Sequence, residues 1–261
     1  MEIQILNKSI LTTDADALVN AANQDLIAGG GVCGAIFEKA GYQELKKACE
    51  KLGYCKTGDA VITKGFNLKS KYIIHAVGPH YQHDANADKL LQSAYLSSLK
   101  LADEKKLNSI AFPCISTGIF CFPLEEAAQI ALDTILNYKS KYLKVCYLYC
   151  YTLEEYKTLL KRFQKFTSPQ SKTISLLTEV NKFYQTYNTR YTKTPDQMRE
   201  HLQAQEKAFK LLRTLQWDDI ISLTKEQLQQ VNPAILYDWS HISANYDKQE
   251  ELQKILEDVF E

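Results

Sequence analysis

Apolar and polar residues along this chain switch between two periods. Residues 2–6 (Glu-Ile-Gln-Ile-Leu) alternate, as an exposed or edge strand does. Ala17-Leu-Val-Asn20 reads as a short buried strand. The loop Gln24–Gly31 follows, then helical spacing from Val32 to Ala40 and again from Gln43 to Leu52. Thr57-Gly-Asp59 is a turn that leads into a strand over Ala60–Thr63, and Tyr72–Val77 is another strand. Over 88–104, Leu91, Tyr95, Leu99 and Ala102 recur at helical spacing. Ser109–Ile115 then predicts a strand, 124–137 a helix, Leu143–Tyr151 a strand and 153–165 a helix. Strands alternating with helices imply an α/β fold with a mostly parallel sheet covered on both faces.

The texture changes near Phe166-Thr-Ser-Pro-Gln-Ser171, a polar, Pro-containing stretch. It is the expected boundary between an α/β domain over 1–166 and a small all-helical domain over 174–261. All ten glycines lie at or before Gly118. Over 196–215, Met198, Leu202, Phe209 and Leu212 mark one helix face, with Gln205 interrupting it. Thr224 is placed to cap a short helix ahead of Asn232-Pro233. The last helix, about 247–260, is expected to bury Leu252, Ile255, Leu256 and Val259. Trp217, Tyr237 and Trp239 are expected to pack in a small core, with a recognition surface as the alternative.

Composition narrows the class further. Lys+Arg and Asp+Glu both number 31, so no net charge drives the chain toward nucleic acid or an anionic membrane. Seven cysteines without regular spacing do not form a disulfide framework, and no CxxC pair supports a metal site. The N-terminus lacks the pattern of a cleaved secretory signal, and no run approaches the ~20 apolar residues of a membrane span. The expected compartment is a reducing cytosol, with delivery into a host cell left open.

Ligands of an open parallel sheet gather beyond the carboxyl ends of its strands. Four segments fall there: Asn20-Ala-Ala-Asn23, Gly29–Gly34, His75-Ala-Val-Gly-Pro79 and Ile115–Phe120. Gly29–Gly31 immediately precedes a helix, where glycines permit close backbone approach and the helix start supplies unpaired N–H groups. Ser116-Thr-Gly-Ile119 is a second small-residue loop, and two such loops facing each other suit a diphosphate. Asn20 and Asn23 offer donors and acceptors to ribose hydroxyls or an ordered water; capping a turn is the plainer alternative. His75, mid-strand, is expected to be a buried structural histidine.

Together these segments resemble the macrodomain family, particularly its MacroD-type branch. The resemblance runs through DALVNAANQDLIAGGGVCGAIFEKAG, TGDAVITKGF, HAVGP, FPCISTGIF and VCYLYCYTLEEY, and covers residues 1 to about 166. It implies a three-layer α/β/α fold that binds ADP-ribose without a cofactor. By that resemblance, Asn23 faces the distal ribose, and Gly30, Gly31 and Val32 line the phosphate and distal-ribose loop. Ser116, Thr117, Gly118 and Ile119 hold the diphosphate, Phe120 covers the distal ribose, and Tyr151 stacks near adenine.

Three departures accompany the resemblance. Where the family reads Gly-Asp-Ile after the first strand, with its Asp receiving the adenine amino group, this chain reads Lys8-Ser9-Ile10. A lost charge-assisted hydrogen bond of about 1.5–3 kcal/mol weakens binding roughly tenfold to a hundredfold unless Asp14 or Asp16 substitutes. Cys33 stands where MacroD-type hydrolases carry an Asp, and a thiol is a poorer base than a carboxylate. Cys121 replaces a usual Gly of the second loop. The implied function is hydrolysis of mono-ADP-ribosyl esters on proteins or of O-acetyl-ADP-ribose, with Asn23 and Cys33 as the candidate catalytic pair. The alternatives are a non-catalytic reader of ADP-ribosylated protein, and a macrodomain turned to another nucleotide with the helical region as a protein-interaction module.

Overall fold

The computed structural model describes residues 1–187, 195–242 and 249–260. The chain forms two compact units, Met1–Phe163 and Gln164–Glu261.

The first unit is built on a six-stranded sheet in the order β1-β6-β5-β2-β4-β3. Its strands are β1 (Glu2–Asn7), β2 (Ala17–Ala22), β3 (Ala60–Lys64), β4 (Tyr72–Val77), β5 (Ser109–Pro113) and β6 (Val145–Cys150). Every pairing is parallel except β3 with β4. The alternating pattern of residues 2–6 becomes the edge strand β1, and the apolar runs of β2 and β5 sit in the middle of the sheet, buried on both faces.

Side chains leave successive strand positions toward opposite faces, so each central strand feeds two apolar layers. On one face Leu18, Ile73 and Ala111 join Ile36, Phe37, Leu45 and Cys49 from α1 (Gly31–Ala40) and α2 (Tyr42–Leu52). Phe112 points the other way and meets Tyr95, ring centroids 5.1 Å apart, on α3 (Ala87–Glu104). The helix α4 (Leu124–Asn137) packs beside α3, and α5 (Leu153–Thr167) follows β6. Fully burying each large aliphatic side chain contributes about 1.5–3 kcal/mol, and these two layers hold the sheet rigid beneath its loops.

The second unit is helical throughout the described residues: α6 (Pro169–Tyr187), α7 (Pro195–Leu212), α8 (Trp217–Ile221), α9 (Lys225–Leu228), α10 (Pro233–Ile242) and α11 (Gln249–Phe260). The stretch expected to be the domain boundary is a junction between two helices, α5 and α6. Ser168 accepts the Ser171 N–H at 3.1 Å, and Pro169 opens α6, where its missing N–H costs nothing. Thr224 forms a capping box with Gln227, as its position predicts.

Trp217 stacks on Trp239 at 6.0 Å within a core that includes Leu212, Leu236, Leu252 and Val259. Of the expected α7 face, Leu212 is buried and Phe209 partly so, whereas Met198 and Leu202 are exposed. The buried stripe ends at Ala208 because Gln205, one turn earlier, breaks its apolar continuity. The side chains of Tyr237 and Leu256, and residues 247–248, lie outside the described residues. No described helix is long and apolar enough to cross a membrane.

Candidate functional site

A cavity of about 480 Å³ opens at the carboxyl ends of the parallel strands, where the loops after β1, β2, β5 and β6 converge. Each wall is set by a local backbone feature.

The first wall is the loop from β2 to α1. Asn23 spans it with both ends of its amide: Oδ1 accepts the Ile27 N–H at 3.0 Å, and Nδ2 donates to the Ile27 carbonyl at 2.8 Å. One amide N–H and one oxygen lone pair remain for a ligand. Gly30 begins α1 with no side-chain cap, and Gly31 has φ +59°. The N–H groups of the first helical turn have no partner within the helix, which favours an anion there. Gly34 lets the helix lie directly on the loop, because a Cβ at that position would stand 2.5 Å from the Gly29 carbonyl oxygen.

The second wall is Ile115–Phe120. Ser116 holds a left-handed φ of +66°, a strain that costs on the order of 1 kcal/mol for a non-glycine residue. The loop is cross-tied through its carbonyls. Ser116 O accepts the Phe122 N–H, Gly118 O the Cys121 N–H, and Phe120 O the Tyr81 N–H, at 3.0, 2.9 and 2.9 Å. Among the described residues, the N–H groups of Ser116 to Phe120 find no partner within the chain. Gly78 supports the loop from beneath; a Cβ there would fall 2.2 Å from Ser116 Oγ and 2.5 Å from Ile115 Cγ2.

The third wall follows β1 and β6, neighbours at the sheet edge that Asn7 laces together by donating to the Cys150 and Thr152 carbonyls. Ser9 accepts from the Leu11 N–H and caps a single 3-10 turn, Ile10–Thr12. Tyr151 is 89% exposed, so it is no core residue, and its ring stands at the rim. Glu155 fixes it. One carboxylate oxygen accepts the N–H groups of Tyr151 and Thr152 at 2.7 and 3.0 Å, and the other lies 3.3 Å from the Thr117 hydroxyl, which shares its single hydrogen between Glu155 and the Cys114 carbonyl at 3.1 Å. A single side chain thus ties the second wall to the third.

Ser9, Ile10, Asn23, Gly30, Gly31, Val32, Cys33, Ser116, Thr117, Gly118, Ile119, Phe120 and Tyr151 all line this cavity. Asn20 does not. It lies within β2, opposite His75 in the register, and points under α1 with no exposure. There Asn20 Nδ2 is 3.2 Å from His75 Nδ1 and 3.5 Å from Cys33 Sγ. His75 Nε2 is in turn 2.9 Å from Thr63 Oγ1. Burial pushes the His75 imidazole down to about 4, so it is neutral near pH 7. Cys33 is buried, and its thiol donates to the Ile27 carbonyl at 3.7 Å, the same oxygen that Asn23 holds. This buried chain therefore ends on the loop that carries Asn23.

Asp16 is tied to Lys71 and Asn108, Asp14 is absent from the lining, and neither supplies the missing carboxylate. Cys121 is exposed, donates to Ile119 O, and stands outside the lining. Cys114 lines the floor, but a hydrogen bond with Cys150 and burial hold its thiol well above the ordinary range. Among the described residues, no group of three or more His, Cys, Asp or Glu side chains is placed to hold a metal. Glu155 and Tyr149 escape the sequence reading, which reached Gly34 and Gly78 only as members of the segments Gly29–Gly34 and His75–Pro79; Thr152-Leu-Glu-Glu155 carries the capping-box signature that points to Glu155.

Residues 19–131 match the family model described as Macro domain. Over 159 residues the chain is 45% identical to the O-acetyl-ADP-ribose deacetylase of Escherichia fergusonii, an overlap of 58% of this chain and 89% of that one. The chain belongs to the macrodomain family. Its macrodomain is also 42% identical over 172 residues to the ADP-ribose glycohydrolase MACROD2 of Homo sapiens, across 64% of this chain and 40% of that one. The Trypanosoma brucei macrodomain solved in complex with ADP-ribose superposes with a TM-score of 0.58 at 36% identity, covering 62% of this chain and 69% of that one.

Proposed function

We propose that this macrodomain binds ADP-ribose and hydrolyses esters built on it, O-acetyl-ADP-ribose or mono-ADP-ribosyl esters on proteins. The observation that carries the reading is the pairing of two walls rich in unpartnered N–H groups across one cavity, with Asn23 at one side and Tyr151 at another. The loops from Gly30 to Val32 and from Ser116 to Ile119 take the diphosphate. Ile10 and Tyr151 take adenine, and Asn23 and Phe120 take the distal ribose. The names of the deacetylase and the ADP-ribose complex among its relatives support the same ligand.

In the proposed reaction, the free N–H and lone pair of Asn23 position a water against the ester carbonyl carbon. The water oxygen bonds to that carbon, the ester C–O bond breaks, and the departing ribose oxygen takes up a proton. Positioning of this kind supplies several kcal/mol of the barrier reduction. Glu155, the lone carboxylate of the lining among the described residues, already uses both oxygens. The acceptor of the water's proton is accordingly assigned to the substrate's own diphosphate. Cys33 serves this scheme by holding the Ile27 carbonyl.

Because Cys33 supplies no carboxylate, a second reading is a non-catalytic reader of ADP-ribosylated protein. Incubating wild type and Asn23→Ala with O-acetyl-ADP-ribose and with a glutamate-linked ADP-ribosyl protein separates the two. Release of acetate or ADP-ribose by wild type and its loss in the variant supports the hydrolase. Wild-type binding without release supports the reader.

A further inference from the structure

The third wall carries a chemical feature beyond ADP-ribose binding, and its interpretation rests on that reading of the cavity. Ser9, Ile10, Leu11, Tyr149 and Tyr151 combine aromatic and aliphatic faces at one end, the environment suited to a flat base. Edge recognition there falls to few side chains. Glu155 is committed to Tyr151, Thr152 and Thr117. Lys8 is a donor without acceptor capacity and stands exposed at the rim. That leaves the phenol hydroxyls of Tyr149 and Tyr151 and the hydroxyl of Ser9, and of these Ser9 alone sits on the turn after β1, with one long amide contact, 3.4 Å from the Leu11 N–H.

A hydroxyl both donates and accepts, and its hydrogen rotates to suit the partner. It accepts from the 6-amino group of adenine as readily as it donates to the 6-oxo group of hypoxanthine. A carboxylate, which accepts only, opposes the 6-oxo group acceptor to acceptor and can meet the oxo base only through its N1–H, so it favours the 6-amino base. We infer that Ser9 makes this cavity indifferent between 6-amino and 6-oxo purines, so that it takes the hypoxanthine diphosphate ribose as well as ADP-ribose.

The test is calorimetric titration of the full chain with ADP-ribose and with inosine diphosphate ribose, for wild type and Ser9→Asp. Asp is as good a helix cap as Ser, so the 3-10 turn is retained. Wild type is expected to bind both ligands with Kd values within about fivefold of each other. Ser9→Asp is expected to favour ADP-ribose by at least about tenfold, the discrimination of one charged hydrogen bond against an unpaired acceptor. A wild-type gap larger than about fivefold in either direction overturns the inference while the ADP-ribose reading stands. An unchanged ratio in Ser9→Asp overturns Ser9 as its cause. If neither ligand binds wild type, the proposed function fails and this inference with it.

Discussion

Replacing Gly34 with Ala sets two physical effects against each other inside one helix turn. In an ordinary helix interior the change stabilises by roughly 0.5–1 kcal/mol, because glycine loses more backbone entropy on folding. Here the new Cβ would stand 2.5 Å from the Gly29 carbonyl oxygen, a contact with backbone that cannot rotate away. Either α1 or the glycine loop must yield. Overpacking of this kind costs typically about 1–3 kcal/mol, so the net effect is destabilisation of about 0.5–2 kcal/mol. For a domain of this size that lowers Tm by about 1–8 °C. The larger consequence falls on the ligand, because Gly29 adjoins Gly30 and Gly31, whose backbone lines the cavity. ADP-ribose affinity is expected to fall about tenfold or more, a loss of 1.4 kcal/mol. Thermal melting monitored by circular dichroism, with calorimetric titration of the same sample, measures both. A variant that melts higher and binds ADP-ribose unchanged would refute the argument that loop and helix are packed backbone against backbone.

Other expectations follow from the same contacts. Asn23→Asp keeps the acceptor for the Ile27 N–H but sets a carboxylate oxygen against the Ile27 carbonyl; ester turnover should fall at least as far as in Asn23→Ala, and a near-wild-type rate contradicts the bridging geometry. Glu155→Ala removes the acceptor shared by Tyr151 and Thr152; a loss of about 1 kcal/mol in stability and weaker ADP-ribose binding are expected, and unchanged affinity argues against Tyr151 as a stacking platform. His75 faces Asn20, Thr63 and Cys49, with burial holding it down at about 4 from an ordinary 6.5. Above 6.5 both folded and unfolded forms are neutral; as pH falls from 6.5 to 4 only the unfolded chain gains the proton, so stability drops on the order of 3 kcal/mol across that window. A His75→Gln variant should lack that slope in urea titrations at stepped pH. Trp239→Ala removes a fully buried ring and its bond to the Leu215 carbonyl; the unfolding transition seen by tryptophan fluorescence should move down by about 3–5 kcal/mol.

The α/β order and the two ligand loops were legible because strand and helix periods differ and because glycines before a helix have few other uses. The residues that the periods hid act through contacts distant in sequence. Gly34 reads as an ordinary helical residue until Gly29 folds back onto it, and Gly78 as an ordinary residue of the loop after β4 until Ser116 reaches it. Asn20 and Asn23 stand three positions apart in one segment, but β2 ends at Ala22. Asn20 keeps the strand alternation and turns beneath α1, whereas Asn23 is free to bridge the loop. Glu155 announced its capping role through Thr152, while its bond to Thr117 depends on β5 and β6 lying side by side. In the helical unit, Met198 and Leu202 had the right period but stand beyond Gln205, past the end of the buried stripe.

The most direct test of the central claim is calorimetric titration of the full chain with ADP-ribose, against AMP, ADP and NAD as controls. Selective micromolar binding of ADP-ribose, abolished or weakened at least about tenfold by Asn23→Ala, is the predicted result. No detectable heat with ADP-ribose from folded protein would contradict the account and remove both the hydrolase and the reader.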